Sequence, residues 1–320
     1  MPEAVTQRVA TPVSGHHPVE VQPPDIAKYK QSTTGVDYVH VLDSGRAGPN
    51  VMVQALTHGN EFCGAHALDT LFRERITPAT GKLVLAFANV DAYARFDFDD
   101  PDASRYIDED YNRVWADDVL FGARDSAELR RARQLQPFVD AADFLLDLHS
   151  MHTPCRPIMV CAKSEKSVAL ARRMGAPADL LLDTGHPAGL RMMERGAFSD
   201  PASPRTAVLI ECGQHWAKSS VDVAIDTCNR FLSVTGLLEK SFSSVKQKVI
   251  RVTEAVVAKT MGFRFASPWK GLEVVKKAGS LVASDDGKEW RTPYDDCIMV
   301  MPSVRHLKPG TTMVRLGRYD

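Results

Sequence analysis

The 320-residue sequence predicts an α/β fold, a sheet with helices on both faces, followed by a smaller β-rich module. Three observations carry that reading. Short apolar, β-branched runs alternate with helical periodicity from Asp37 to about residue 240. Past about residue 246 the helical pattern gives way to short strands broken by Gly, Pro and Asp. Hydrophobic residues make up 44% of the chain, enough for a substantial core in a protein of about two domains' length.

Residues 1–25 are rich in Val, Pro, His and Gln, end in Pro23-Pro24 and show no apolar period, so a weakly ordered arm is expected there. The main domain should span 26–245. Its expected strands are 38–42, 51–56, 83–89, 144–148, 158–161 and 207–210, and its expected helices are 61–75, 126–141, 166–174 and 220–239. A Ser-rich linker, Ser241-Phe242-Ser243-Ser244, leads into a β-rich domain over 246–320, with strands expected at 249–258, 263–265, 273–275, 298–301 and 313–316. No repeat of fixed period is visible.

The charge balance, 39 basic against 40 acidic residues, excludes a dedicated nucleic-acid binder, because no face could neutralise a run of phosphates. It equally disfavours a polybasic membrane anchor. No stretch approaches the roughly 20 apolar residues that span a bilayer, and no signal-peptide pattern opens the sequence. The six cysteines (Cys63, Cys155, Cys161, Cys212, Cys228 and Cys297) form no CxxC pair, so a reduced, cytoplasmic setting is expected. No G-x-S-x-G elbow, P-loop or G-x-G-x-x-G fingerprint occurs, which removes serine-hydrolase and nucleotide-driven readings.

Four segments carry chemistry. In the first, the apolar run 51–56 leads into Thr57-His58-Gly59-Asn60-Glu61, a strand-to-helix turn at the sheet edge where open α/β sheets place ligands. His58 and Glu61 are two of the three residue types of a His₂Glu catalytic zinc site. HxxE alone is a weak motif, and a helix-start Glu beside a turn His is the competing reading. The apolar run 144–148 ends in His149, a third candidate ligand, with Asp147 two residues earlier on the same side of the strand to orient the imidazole. His152 competes but lies in a loop pulled away by Pro154 and Pro157. His66 reads as a packed helix residue, and His16, His17, His40, His186 and His306 fit no ligand spacing.

The strand 207–210 ends in Glu211, a carboxylate expensive to bury without a partner, which suits a base facing a metal; a rim Glu paired with an Arg is the alternative. Segment 104–115 follows strand 83–89 and reads as a long functional loop. Its Arg105 and Arg113 offer planar forks for a carboxylate, and Asn112 adds a donor. A calcium loop on Asp97, Asp99 and Asp108 is disfavoured by Pro101 and Asp102 at its fifth and sixth positions, the latter requiring Gly. The loop's acids should pair with its arginines or face water.

His58-Gly59-Asn60-Glu61, Arg105-Tyr106-x-Asp108-x-Asp110-x-Asn112-Arg113, Asp147-Leu148-His149 and Glu211-x-Gly213-x-His215, the last position being Gln or His in the pattern, stand in the order of the succinylglutamate desuccinylase/aspartoacylase family. Over roughly residues 30–320 the chain resembles that family, whose members are relatives of the zinc carboxypeptidases. The resemblance implies a zinc-carboxypeptidase-like mixed sheet flanked by helices, then a small C-terminal β-rich domain. It implies one Zn²⁺ per chain held by His58, Glu61 and His149. Glu211 would be the general base, Arg105 would polarise the scissile carbonyl and hold the oxyanion, and Asn112 with Arg113 would grip the substrate's α-carboxylate. The implied reaction is hydrolysis of a small anionic N-acyl amino acid, with Glu211 taking the proton of the attacking water and returning it to the leaving amine. The family's residues for the substrate side carboxylate have no match in register; Arg191, Arg195, Arg205 and Tyr294 are the loosely placed candidates.

Two other readings stand beside this one. A zinc carboxypeptidase acting on short peptides would share the metal, base and clamp and differ in how open the cleft is. A metal-free binding protein would keep only the clamp. The β-rich domain is expected to narrow the cleft toward small substrates and is available to help form a homo-oligomer.

Overall fold

A computed structural model describes residues 17–183, 185–305 and 307–320. In chain order the first part holds β1 (Val39–Asp43), β2 (Asn50–Ala55), α1 (Cys63–Arg73), β3 (Lys82–Phe87), the short helices α2 (Val90–Tyr93) and α3 (Asp117–Leu120), and α4 (Ala127–Ala141). It continues with β4 (Phe144–Met151), β5 (Ile158–Val160), α5 (Glu165–Met174), β6 (Asp179–Leu182), β7 (Thr206–Gln214) and α6 (Lys218–Val234). Strands β8 (Lys248–Val257), β9 (Arg264–Phe265), β10 (Glu273–Val275), β11 (Leu281–Asp285), β12 (Lys288–Arg291), β13 (Cys297–Val300) and β14 (Thr312–Tyr319) complete the chain.

Among the described residues, eleven strands share one mixed sheet in the order β1-β3-β2-β4-β7-β5-β6-β8-β14-β13-β10, and β12-β11-β9 form a small antiparallel sheet. Strands β3, β2, β4 and β7 run parallel. This centre is covered on both faces, which is why β2, β4 and β7 read as near-continuous apolar runs. On one face α1, α5 and α6 place Leu68, Leu71, Val168 and Phe231 on Val53, Leu146 and Val208. On the other, α4 sets Leu129, Ala132, Leu135 and Val139 in a core with Met52, Leu145 and Ala207. Helix α4 begins where predicted because the Ser126 hydroxyl accepts the Leu129 N–H, satisfying one donor of the first turn.

Several boundaries differ from the sequence reading. Helix α1 starts at Cys63 rather than 61, since residues 57–62 are spent on the turn that carries His58 and Glu61. Helix α6 stops at Val234, where the Thr235 hydroxyl bonds back to the Phe231 carbonyl. Strand β6 was not anticipated: its Leu180-Leu181-Leu182 run is short and lacks the β-branched residues that would separate it from a helix fragment. The β11–β12 hairpin was also missed, although Asp286-Gly287, both at positive φ, is the standard two-residue turn signal.

Past residue 246 the pairing changes, from the parallel centre of the sheet to the antiparallel strands β8, β14, β13 and β10. The sheet nevertheless runs across it, because β8 pairs in parallel with β6 over Asp179↔Lys248 to Leu182↔Arg251. Ile250, Val252, Ile298 and Val300 lie in the same core as α4, while Val256, Phe263, Val282, Trp290 and Val314 form a third cluster of their own. Of the expected N-terminal arm, residues 1–16 lie outside the described residues. Residues 17–25 are docked rather than loose: Val19 is buried, Glu20 N–H donates to the Trp216 carbonyl and the Tyr93 hydroxyl donates to the Pro24 carbonyl. The apolar surface that Val19 covers is the reason.

Candidate active site

Three neighbouring strands deliver the site. Strand β2 ends at Ala55, and Leu56, buried at φ 60°, kinks the chain into the turn that presents His58 and Glu61. Strand β4 carries Asp147 and His149, and β7 carries Glu211, with His149 and Glu211 directly opposite in the register. Both strands run further than the sequence suggested, to Met151 and Gln214, so these two residues sit within paired backbone near its carboxyl end. That placement fixes them on rigid elements at the edge where open α/β sheets bind ligands.

His58, Glu61 and His149 are buried, and one ligand atom from each lies within 4.8 Å of the others; they form the one such metal-capable group among the described residues. His58 Nδ1 is 2.7 Å from Glu61 Oε1, and His149 Nδ1 is 3.1 Å from Oε2. The far nitrogens face other carboxylates, His58 Nε2 at 3.0 Å from Asp110 Oδ1 and His149 Nε2 at 2.8 Å from Asp147 Oδ2. A neutral imidazole that gives its one proton to the outer carboxylate turns a lone pair toward Glu61. Three acceptors then converge on one point, an arrangement that a cation between them satisfies. Burial opposes a charged imidazole at His149, yet Asp147 and Glu61 raise it well above the ordinary histidine value.

Asp147 is itself held by the Thr57 hydroxyl at 2.7 Å, which in turn accepts from Gln54 Nε2. The Ser150 N–H donates to Glu61 Oε2 at 3.0 Å. Arg105 donates from Nη1 to Glu61 Oε1 at 3.0 Å and from Nη2 to Asp110 Oδ2 at 3.2 Å, so its fork lies against the metal-capable group. Glu211 faces the same space, with Oε2 buried and free of hydrogen-bond partners. Burial, reinforced by the Glu61 charge and opposed by His149 and Arg105, pushes its carboxyl up to about 8. A carboxylate oxygen buried without a partner costs stability, and a proton-transfer role explains its retention.

A cavity of about 200 Å³ opens over these groups, lined also by Asn112, Arg113, Arg191 and Arg315. Asn112 Oδ1 accepts the Met192 N–H, leaving its amino group as the donor for a ligand. All seven residues singled out from the sequence, His58, Glu61, Arg105, Asn112, Arg113, His149 and Glu211, therefore line one cavity. His152 lines it too but stands outside the metal-capable group, its Nε2 3.4 Å from Asp102 Oδ2.

Of the loosely placed side-carboxylate candidates, Arg191 reaches the cavity but is already bound to Asp183 at 2.7 Å and to both Glu194 oxygens. The other three do not line it. Arg195 is turned away onto Asp117 and Asp140, Arg205 onto the Asp140 carbonyl, and Tyr294 onto Thr253 in the β-rich part. Sequence reasoning missed Arg315, buried on β14, whose Nε has no hydrogen bond and lies 3.6 Å from Asp183 Oδ1. No spacing could have indicated it, since 104 positions separate it from Glu211 and only the sheet order joins them.

Residues 47–232 match the model of the succinylglutamate desuccinylase/aspartoacylase catalytic domain. The chain belongs to that family. Solved structures with the same fold include succinylglutamate desuccinylase from Vibrio cholerae, at 16% identity and a TM-score of 0.67 over 86% of this chain and 82% of that one. The ectoine utilization protein EutE from Ruegeria pomeroyi gives 17%, 0.61 and 87% of each chain, and murine aminoacylase 3 gives 17%, 0.59, 86% and 96%. No curated protein sequence matches the chain. Membership makes it a deacylase of the succinylglutamate desuccinylase/aspartoacylase type, and the buried His-Glu-His group is where that family's chain can hold a metal.

Proposed function

We propose that this chain is a zinc-dependent amidohydrolase that removes the acyl group from a small, anionic N-acyl amino acid. One observation carries the reading: a ring nitrogen of His58, a ring nitrogen of His149 and the Glu61 carboxylate converge beside Glu211, whose Oε2 has no hydrogen-bond partner, in a cavity lined by four arginines. The His₂Glu donor set suits Zn²⁺, one per chain, which when bound supplies Lewis-acid activation of water and of the amide carbonyl.

The chain's own groups do the rest. Glu211 takes a proton from the attacking water and returns it to the leaving nitrogen. Arg105 donates to the oxygen on which negative charge develops, and its place beside Glu61 and Asp110 fixes the fork before substrate arrives. Asn112 and Arg113 hold the α-carboxylate, which sets the amide over Glu211.

The alternative, a carboxypeptidase acting on short peptides, is disfavoured by the size of the site. Met301, Ser303 and Arg315 from the C-terminal strands and loops line the cavity, whose volume of about 200 Å³ is below the roughly 300–1,000 Å³ of pockets for drug-sized ligands. Six unpaired cysteines fit a reducing, cytoplasmic setting, and no helix among the described residues is long and apolar enough to cross a membrane.

The test is zinc analysis with a hydrolysis screen over N-acetyl, N-succinyl and N-formyl amino acids and a blocked dipeptide. One zinc per chain and hydrolysis of an N-acyl amino acid are expected, with Glu211→Gln keeping zinc and losing most activity. Cleavage of the dipeptide alone would reverse the two enzyme readings, and a chain that neither binds zinc nor gains activity with it would leave only a binding protein.

A further inference from the structure

The loop that carries Arg105, Asp110, Asn112 and Arg113 has little regular structure of its own, only two short 3₁₀ turns. Its geometry needs an external anchor, and one carboxylate supplies it. Glu128, fully buried in the first turn of α4, accepts the backbone N–H groups of three consecutive loop residues: Ile107 at 2.7 Å on Oε1, and Asp108 at 3.0 Å and Glu109 at 3.2 Å on Oε2. Asn89 Nδ2 donates to Oε1 at 3.0 Å from the end of β3. The loop reciprocates, with Asp108 Oδ2 accepting the Ala127 N–H at 2.7 Å. Helix α4 is a firm base, because Arg131 on the same helix donates to the carbonyls of Phe87 and Ala88.

We infer that Glu128 is a positioning residue of the active site, a buried carboxylate clamp that sets Arg105 on one side and Asn112 and Arg113 on the other. It touches neither the metal-capable group nor the cavity. Its effect passes through the loop backbone: Arg105 precedes the clamped amides by two residues, and Asp110 follows them directly. Asp110 then accepts the Asn112 N–H at 2.9 Å and orients both Arg105 and His58. All four hydrogen bonds end on the two oxygens of one side chain, and no other side chain of that length supplies two acceptor atoms without a donor. A glutamine would present an amino group to two of the amides it must bind.

What the clamp positions rests on the deacylase reading; that the clamp exists does not. The experiment therefore uses two readouts on the full, zinc-loaded chain carrying Glu128→Gln. Hydrogen exchange should show the 107–109 amides losing protection while zinc content stays at the parent level. With N-acetyl-L-aspartate or N-succinyl-L-glutamate as probe, kcat/KM should fall about 100-fold well below the melting temperature, through both kcat and KM, as expected for misplacement on the ångström scale. Leu135→Ala, a buried cavity on the same helix, should lower the melting temperature without moving kcat or KM. Glu128→Asp, which keeps the charge on a shorter arm, should fall between and decides the matter if Glu128→Gln does not fold. Unchanged protection at 107–109, or kcat and KM within about twofold of the parent, overturns the inference. If the parent hydrolyses neither probe, the kinetics use whichever N-acyl amino acid the hydrolysis screen identifies; a parent that hydrolyses none of them sinks the deacylase reading, while the exchange result still decides the clamp.

Discussion

At Gly59 even a methyl group would displace the chemistry. A Cβ there would stand 2.4 Å from the Ser104 carbonyl oxygen and 2.4 Å from the Tyr93 nitrogen, both backbone atoms that cannot step aside alone. The Gly59 N–H also donates to the Arg105 carbonyl at 3.0 Å, so the residue between two metal-capable positions is the seam to the arginine loop. Gly59→Ala should therefore lower both zinc occupancy and kcat/KM, a pairing that zinc analysis and kinetics on one preparation can check; parent-like values would show that the loop yields. The histidines give a sharper contrast. His149→Ala should lose stoichiometric zinc and His152→Ala should retain it. Removing the partner of His149, Asp147→Ala, should weaken zinc binding by roughly 10- to 100-fold. Competition with a chelator measures all three, and loss of zinc from His152→Ala instead would reassign the third ligand.

At the scale of the element, legibility followed local physics. Strands β2, β4 and β7 could be read because burial on both faces writes an apolar run, and the polar residue that interrupts such a run stands out; His149 and Glu211 were visible for that reason. Glu128 was not visible, since a Glu in a helix's first turn is ordinary and its partners are backbone amides that carry no sequence signature. The docking of the N-terminal segment was equally hidden. There Asp69 of α1 accepts the Tyr29 hydroxyl at 2.8 Å and pairs with Lys28 and Arg73, each at 2.8 Å. Burial would raise the Asp69 pKa, but Lys28 and Tyr29 outweigh it and hold the carboxyl below its ordinary value. A folded-state pKa below the unfolded one stabilises the protein above the unfolded value and loses that contribution as pH falls toward the folded one. Lys28 and Arg73 are more than half exposed, so screening leaves the hydroxyl bond as the main term. Asp69→Asn should cost roughly 1–2 kcal/mol at neutral pH. The gap should narrow below about pH 4. Denaturant unfolding at several pH values checks this, and a gap that is constant with pH would remove the charge from the account.

For the whole molecule, a net charge of -1 is silent about the cavity, where Arg105, Arg113, Arg191 and Arg315 meet Glu61, Asp110 and Asp183. Cations drawn from distant segments concentrate at one point without altering the sum. The same holds for the division of the chain. Composition separates residues 26–245 from 246–320, but the sheet does not: β8 supplies the outer partner of β6, β14 brings Arg315 to the cavity, and Ile250 and Val300 fill the α4 core. A fragment ending at residue 245 would expose the β6 edge and leave buried apolar positions without neighbours, which makes it prone to pair with other copies. The full chain should therefore melt in a single calorimetric transition with equal calorimetric and van't Hoff enthalpies. The 26–245 fragment should aggregate or bind no zinc. Two resolved transitions, or a soluble fragment that holds zinc, would show instead that the C-terminal strands are an independently folding addition rather than the far half of the active-site sheet.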